Sequence, residues 1–303
     1  NKNITSVRLP NNIKKVGFIA FQTLRIQMQL PTGLEVAGRS AFTYNKFADL
    51  RLPVGLKELR ESSFGYTTVT SKRAYIPNTV IAIIGNPFYG SSLESIEVAS
   101  DNPNYKSING VLFNKNGSKI LVYPAEKPSS SYSIPSGVRT IGKNSFENNR
   151  NLTELSIPAT VEQLDSCALW YCPSLRQITI SATTPPKVLD KALNGVSDSC
   201  IIKVPKGYVN TYKNAEGWKK FINIIDEIPS TFTYSGINYN VLSFADRTVE
   251  VGKNSNASGA ITIPSSVAYN GFTFNVVAVG DCAFDCNKNI TSVRLPNNIK
   301  KVG

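Results

Sequence analysis

Histidine is absent from the 303 residues. Its absence removes Ser-His-Asp and Cys-His catalysis, histidine-bearing zinc sites and imidazole pH switches together. No apolar run approaches the roughly 18 residues of a membrane-spanning helix. No leader is expected either, because Asn1 opens directly into repeat-like sequence. Cysteine is sparse: Cys167, Cys172, Cys200, Cys282 and Cys286 are an odd number and lack the CxxC pairs of zinc sites. They read as small buried thiols in a recurring core slot. Neither a cofactor nor a metal is expected, and no nucleotide loop or calcium loop is visible.

Long runs of one charge are also missing. Lys and Arg number 33 against 21 Asp and Glu, a net charge of +12, yet the bases come only in pairs such as Lys14-Lys15 and Lys219-Lys220. Such dispersal reads as solubilising charge, and no nucleic-acid partner is expected. Hydrophobic residues are 41% and charged residues 18%, the composition of a folded chain.

What is present is a repeat. A proline closes each short apolar run, at Pro10, Pro31, Pro53, Pro77, Pro135, Pro158, Pro205, Pro264 and Pro296, with Ser181 in one equivalent place. Spacings of 21, 22, 24, 23, 23 and 24 residues define a unit near 23. Apolar residues stand three and one before the proline and three and six after it. Phe21, Phe42, Phe64, Phe88, Phe146 and Leu169 stand eleven after it. The two positions before the proline alternate with polar ones, so they line one face of a short strand that the proline ends. Gly17, Gly38 and Gly142, seven after, are expected to permit a turn. Stacked units place the phenylalanines in a ladder, and no unit closes its core without neighbours. On this register Phe146→Ala costs about 3–5 kcal/mol and Asn148→Ala is nearly neutral.

Segments 151–169 (NLTELSIPATVEQLDSCAL) and 132–152 (YSIPSGVRTIGKNSFENNRNL) resemble the leucine-rich repeats of the BspA-like family of bacterial, Bacteroides-type surface proteins. Residues 100–124 resemble that family's inserted hairpin, 201–228 its closing unit and 232–251 its opening hairpin. The resemblance implies a leucine-rich-repeat solenoid with short parallel strands on one face and turns and short helical segments on the other. It also implies a hairpin insert and terminal caps. Trp218, Phe221, Ile224 and Ile225 stand on helix-like spacing and are expected to cover the solenoid end.

Residues 287–303 repeat residues 1–17 letter for letter. The expected organisation is therefore an array over 1–228, with its insert at about 100–124 and its cap at about 201–228. Residues 229–303 then form the opening hairpin and first repeats of a further array. Tandem arrays, a permutation and a numbering effect all account for the duplication, and open ends imply end-to-end self-association.

The resemblance also implies a non-catalytic protein, secreted or at the cell surface and anchored through a segment outside this chain. Its expected partner is an extracellular protein, of host matrix or of another cell. The outward strand positions two before each proline are the candidate contacts: Arg8, Gln29, Arg51, Tyr75, Ser156 and Thr179. Two other readings stay open. One is a glycan-binding module of a polysaccharide-handling system, which needs exposed aromatic rings on one face. The other is a passive spacer.

Overall fold

The computed structural model describes residues 3–226, 230–243, 246–269 and 272–303. The chain divides into two compact units, residues 1–226 and 227–303. The expected end of the cap at Ile228 lies outside the described residues.

The first unit is a parallel β-solenoid. Alternation before the proline works as expected: Leu50 and Leu52, Ala74 and Ile76, and Leu155 and Ile157 are buried, with exposed or half-buried residues between them. Burying each large apolar side chain stabilises by roughly 1.5–3 kcal/mol, so the pattern forces every coil to present the same face inward. These segments pair in parallel as Leu50–Arg51, Arg73–Ile76 and Ser95–Val98. Beyond the insert they continue through Ser131–Ser133, Glu154–Ile157, Gln177–Ile180, Ile201–Lys203 and Asn223–Ile225.

The opposite face carries turns and a second ladder. Residues five and six after the proline form two-residue strands, Lys15–Val16, Val36–Ala37, Glu58–Leu59 and Ala82–Ile83, each parallel to the next. The helix Val209–Lys213 lies in the cap. Gly38 and Gly142 follow this ladder, but neither is in the left-handed region. A Cβ on Gly38 would stand 2.6 Å from the Val16 carbonyl oxygen, and one on Gly142 2.3 Å from that of Ile120. Close approach of the preceding coil, rather than turn freedom, requires glycine there. Gly17 has no neighbour within 4 Å of that position.

Left-handed backbone falls instead nine and thirteen after the proline, at Ser40 and Tyr44, Ser62 and Tyr66, Asn144 and Asn148, and Cys167 and Tyr171. Between each pair sits the ladder residue, whose N–H donates to the next coil: Phe42 to Ser63, Phe64 to Pro87 and Phe146 to Ala168. Phe21, Phe42, Phe64 and Phe88 stack with centroids 6.1, 5.2 and 6.1 Å apart. Fourteen after the proline lies a buried polar slot absent from the sequence-based register. Asn45 Nδ2 there donates to the Phe21 carbonyl at 2.6 Å, Thr67 Oγ1 to that of Phe64 at 2.8 Å and Cys172 Sγ to that of Phe146 at 3.2 Å. Each bond satisfies a carbonyl inside the coil that water cannot reach.

Cys172 and Cys200 are buried as expected, whereas Cys167 is half-buried and Cys282 and Cys286 are exposed. That part of the cysteine reading is corrected. Cys282 and Cys286 occupy a pair of left-handed positions four apart, with φ of 57° and 54°, at the outer corner of a coil.

The insert is an antiparallel meander, Tyr105–Ile108, Val111–Asn114 and Lys119–Val122, whose last strand rejoins the second ladder beside Thr140–Ile141. Its side chains are divided between two cores. Leu112 and Val122 pack with the earlier coils, and Val111, Phe113 and Ile120 with the later ones. The closing segment buries Trp218, with Nε1 donating to the Pro186 carbonyl at 2.8 Å. Its spacing is not helical: Ile224 and Ile225 lie in the final strand, beside Ile201–Lys203.

In the second unit, Thr231–Tyr234 and Ile237–Ser243 form an antiparallel hairpin, and Ile237–Ser243 pairs with Thr248–Val251. Phe272–Val279 lies parallel to Thr248–Val251 on one side and to Lys301–Val302 on the other. The duplicated residues thus meet different neighbours. Val16, covered by the coil at Val36–Ala37, is 4% exposed, and its counterpart Val302 is 63% exposed.

Candidate binding surface

The outward strand positions form rows because parallel pairing places equivalent residues side by side. Arg51 is in register with Tyr75, and Tyr75 with Glu97. The Arg51 guanidinium lies over the Tyr75 ring, 4.9 Å from its centroid. Arg73 reaches Glu97 at 3.6 Å and Arg51 reaches Asp49 at 3.8 Å. Exposed pairs of this kind contribute up to about 1 kcal/mol each, so they orient the side chains more than they stabilise the fold. Gln29, Arg51 and Tyr75 all line one groove of about 780 Å³.

Ser156 and Thr179 stand in a second row, with Ser133 before them and Lys203 after. The insert separates the rows, since the Ile96 N–H donates to the Gly110 carbonyl at 2.9 Å rather than to another coil. Arg8 is exposed, and both Arg8 and Gln29 stand outside the hydrogen-bonded strands. The structure therefore brings three of the six sequence candidates together, places two elsewhere on the same face and leaves Arg8 apart.

Aromatic residues at the left-handed corner complete the surface. Tyr44 and Tyr66 stack 4.7 Å apart with rings parallel to within 1°, and Tyr66 Oη donates to Tyr89 Oη at 2.5 Å. Each of the two rings thus has one face covered by the other. Further along, Trp170 and Tyr171 are 40% and 51% exposed, with Arg150 over Tyr171 at 5.9 Å. Beneath this corner lies Glu147, only 3% exposed. Burial pushes its carboxyl up to about 7, against hydrogen bonds from Asn144 and Tyr89 that favour the charged form. Tyr89 itself is raised by burial and by its contact with Tyr66. Sequence reasoning missed this corner, although Tyr44 and Tyr66 share one repeat offset.

Among the described residues no group of three or more His, Cys, Asp or Glu could hold a metal ion. No helix among them is long and apolar enough to cross a membrane.

The fold and its surface rows define a class: a bacterial-type leucine-rich-repeat solenoid. The sequence matches the BspA type leucine rich repeat region in six copies over residues 1–119, 125–215 and 229–303, and the chain belongs to that family. No curated protein matches it. A leucine-rich repeat protein from Eubacterium ventriosum shares 24% identity over 63% of each chain, with a TM-score of 0.47. This chain thus spans less than two thirds of that relative. The pneumococcal vaccine antigen PcpA shares 18% identity over 72% of each chain, with a TM-score of 0.45. A leucine rich cell surface protein from Faecalibacterium prausnitzii shares 16% identity over 96% of this chain and 79% of that one, with a TM-score of 0.44.

Proposed function

We propose that the chain is a non-catalytic binding protein, secreted or held at a bacterial cell surface, that takes an extracellular protein on the outward face of its strands. The observation that carries this reading is the Arg51–Tyr75–Glu97 row beside the groove. Arginine and tyrosine are enriched among residues that dominate protein interfaces. The stacking of Arg51 on Tyr75 orders both side chains in part, which lowers the entropy lost on binding. The row carries both charge signs on an apolar-lined groove, a mixture suited to a protein surface. The Ser156–Thr179 row is a second, more polar contact area on the same face.

Glycan binding is less favoured. The ladder phenylalanines are interior and Tyr44 stacks on Tyr66, so exposed rings such as Trp170, Tyr171 and Phe18 do not form one continuous row. The test is a screen of the chain against immobilised extracellular-matrix proteins and a glycan array, at low and at physiological salt. Saturable protein binding that survives physiological salt supports the reading. Binding confined to acidic glycans and lost with salt overturns it, because it would make the dispersed +12 charge the functional feature.

A further inference from the structure

The groove beside the Arg51–Tyr75 row has a cause in the lengths of the coils. From ladder phenylalanine to proline, Phe64 to Pro77 is 77 − 64 = 13 residues, Phe42 to Pro53 is 53 − 42 = 11, and Phe21 to Pro31 is 31 − 21 = 10. This stretch must cross the strand face. The coil ending at Pro31 is the shortest of the three, one residue shorter than the coil beside it and three shorter than the one ending at Pro77.

The hydrogen bonds show where it parts from the next coil. At the corner the two are joined, Met28 N–H to the Lys46 carbonyl and Lys46 N–H to the Ile26 carbonyl, each 2.9 Å. Beyond the proline they rejoin, Lys57 N–H to the Glu35 carbonyl at 2.8 Å. Between those points no backbone bond links residues 29–34 to residues 47–56. By contrast, Glu154–Ile157 is paired on both sides, with Ser131–Ser133 and Gln177–Ile180.

Leu50–Arg51 is therefore a strand with one bare edge. Leu52 N–H donates to the Tyr75 carbonyl at 3.0 Å, toward the following coil. Successive residues of a strand direct their backbone groups to alternate sides, so Arg51 turns its N–H and C=O toward the gap. An unpaired strand edge is a template for another strand. The gap is the 780 Å³ groove, with Met28, Leu30 and Leu52 along its apolar wall, Val54 78% exposed at one end, and Arg51 and Tyr75 at its lip.

We propose that an extended peptide of the partner protein adds as a strand beside Leu50–Arg51, filling the place that the shortened coil vacates. This rests on the protein-binding reading and specifies how the partner is held. Backbone bonds to Arg51 supply register, and alternate side chains supply selection. One apolar side chain faces Met28, Leu30 and Leu52, and an acidic one takes Arg51 at the lip in competition with the exposed Asp49.

The probe is a displayed random dodecapeptide library selected on the full chain. The synthetic consensus peptide is then measured by fluorescence anisotropy. Expected are sequences alternating an apolar with an acidic or polar residue. N-methylation at alternate peptide positions of one parity should weaken binding about tenfold, the worth of one or two backbone hydrogen bonds, while the other parity has little effect. The Arg51 amide should exchange quickly in the free chain and become protected by the peptide. Ala48→Trp, at an exposed residue lining the groove, should abolish binding while leaving the melting curve unchanged. No selected peptide, parity-independent N-methylation, or protection elsewhere than Arg51 would overturn the proposal. The intact partner separates this from the broader reading. If it is lost on Arg51→Ala with Tyr75→Ala but held by Ala48→Trp, the strand face stands and the added strand falls. If all three variants hold it, both fall.

Discussion

Within one coil, the decisive residues are those whose environment the fold leaves no freedom. Phe146 is buried against Tyr123, centroids 4.8 Å apart. Phe146→Ala should lower unfolding free energy by about 3–5 kcal/mol in urea titration. Asn148, read from sequence as a neutral surface position, has φ 62°. Asn148→Ala should therefore cost about 1 kcal/mol, because asparagine's short polar side chain eases left-handed backbone through local hydrogen bonding and alanine's does not. Asn148→Gly should cost nothing, and the reverse ranking would mean that the corner is misplaced. Glu147 makes stability depend on pH. Its folded carboxyl titrates near 7 against an ordinary value of 4.5, so folding favours the protonated form. That contribution is whole below pH 4.5 and is lost as pH rises through 7. The urea midpoint should fall as pH rises from about 4.5 to about 7 and level off above that, and Glu147→Gln should flatten the fall. An unchanged slope in the variant would place the titration elsewhere.

Elements were legible in the sequence to the extent that their pattern had length. Strands such as Glu154–Ile157 span two alternations, Leu155 and Ile157 in with Glu154 and Ser156 out, and that periodicity identifies the face and its register. The second ladder has strands of two residues, such as Thr140–Ile141, too short for any period to show, so its residues read only as a return of the chain. The exposed thiols were misread for a related reason. A residue's place in left-handed backbone is set by the coil as a whole, not by the side chain, and Cys282 occupies a position that is serine in Ser40 and asparagine in Asn144. The contact of one coil with the next gives a paired test. Gly142→Ala places a Cβ 2.3 Å from the Ile120 carbonyl oxygen, whereas Gly17→Ala meets nothing within 4 Å. Calorimetry should find Gly142→Ala destabilised by about 1–3 kcal/mol and Gly17→Ala within about 0.5 kcal/mol of the parent. Equal losses would refute close coil approach as the reason for glycine.

Across the molecule, the repeat does two things with the same 23-residue unit. Regular coils stack into ladders that close the interior, and irregular ones break the outward face into separate areas. The insert divides the Arg51–Tyr75–Glu97 row from the Ser156–Thr179 row, and the short coil ending at Pro31 opens the groove beside Arg51. The sequence candidates were found as a register and not as a site, because side-by-side placement follows from the coil while grooves follow from departures in length. The central claim is that the strand face, and not the corner or the second ladder, meets the partner. A photo-crosslinking residue placed at Tyr75 tests it most directly, against one placed at Ile84, exposed beside the second ladder. Each is irradiated with the matrix protein that binds in the screen. Crosslinks from position 75 and none from position 84 are predicted. Crosslinks from position 84 alone, or equally from both, would contradict the account.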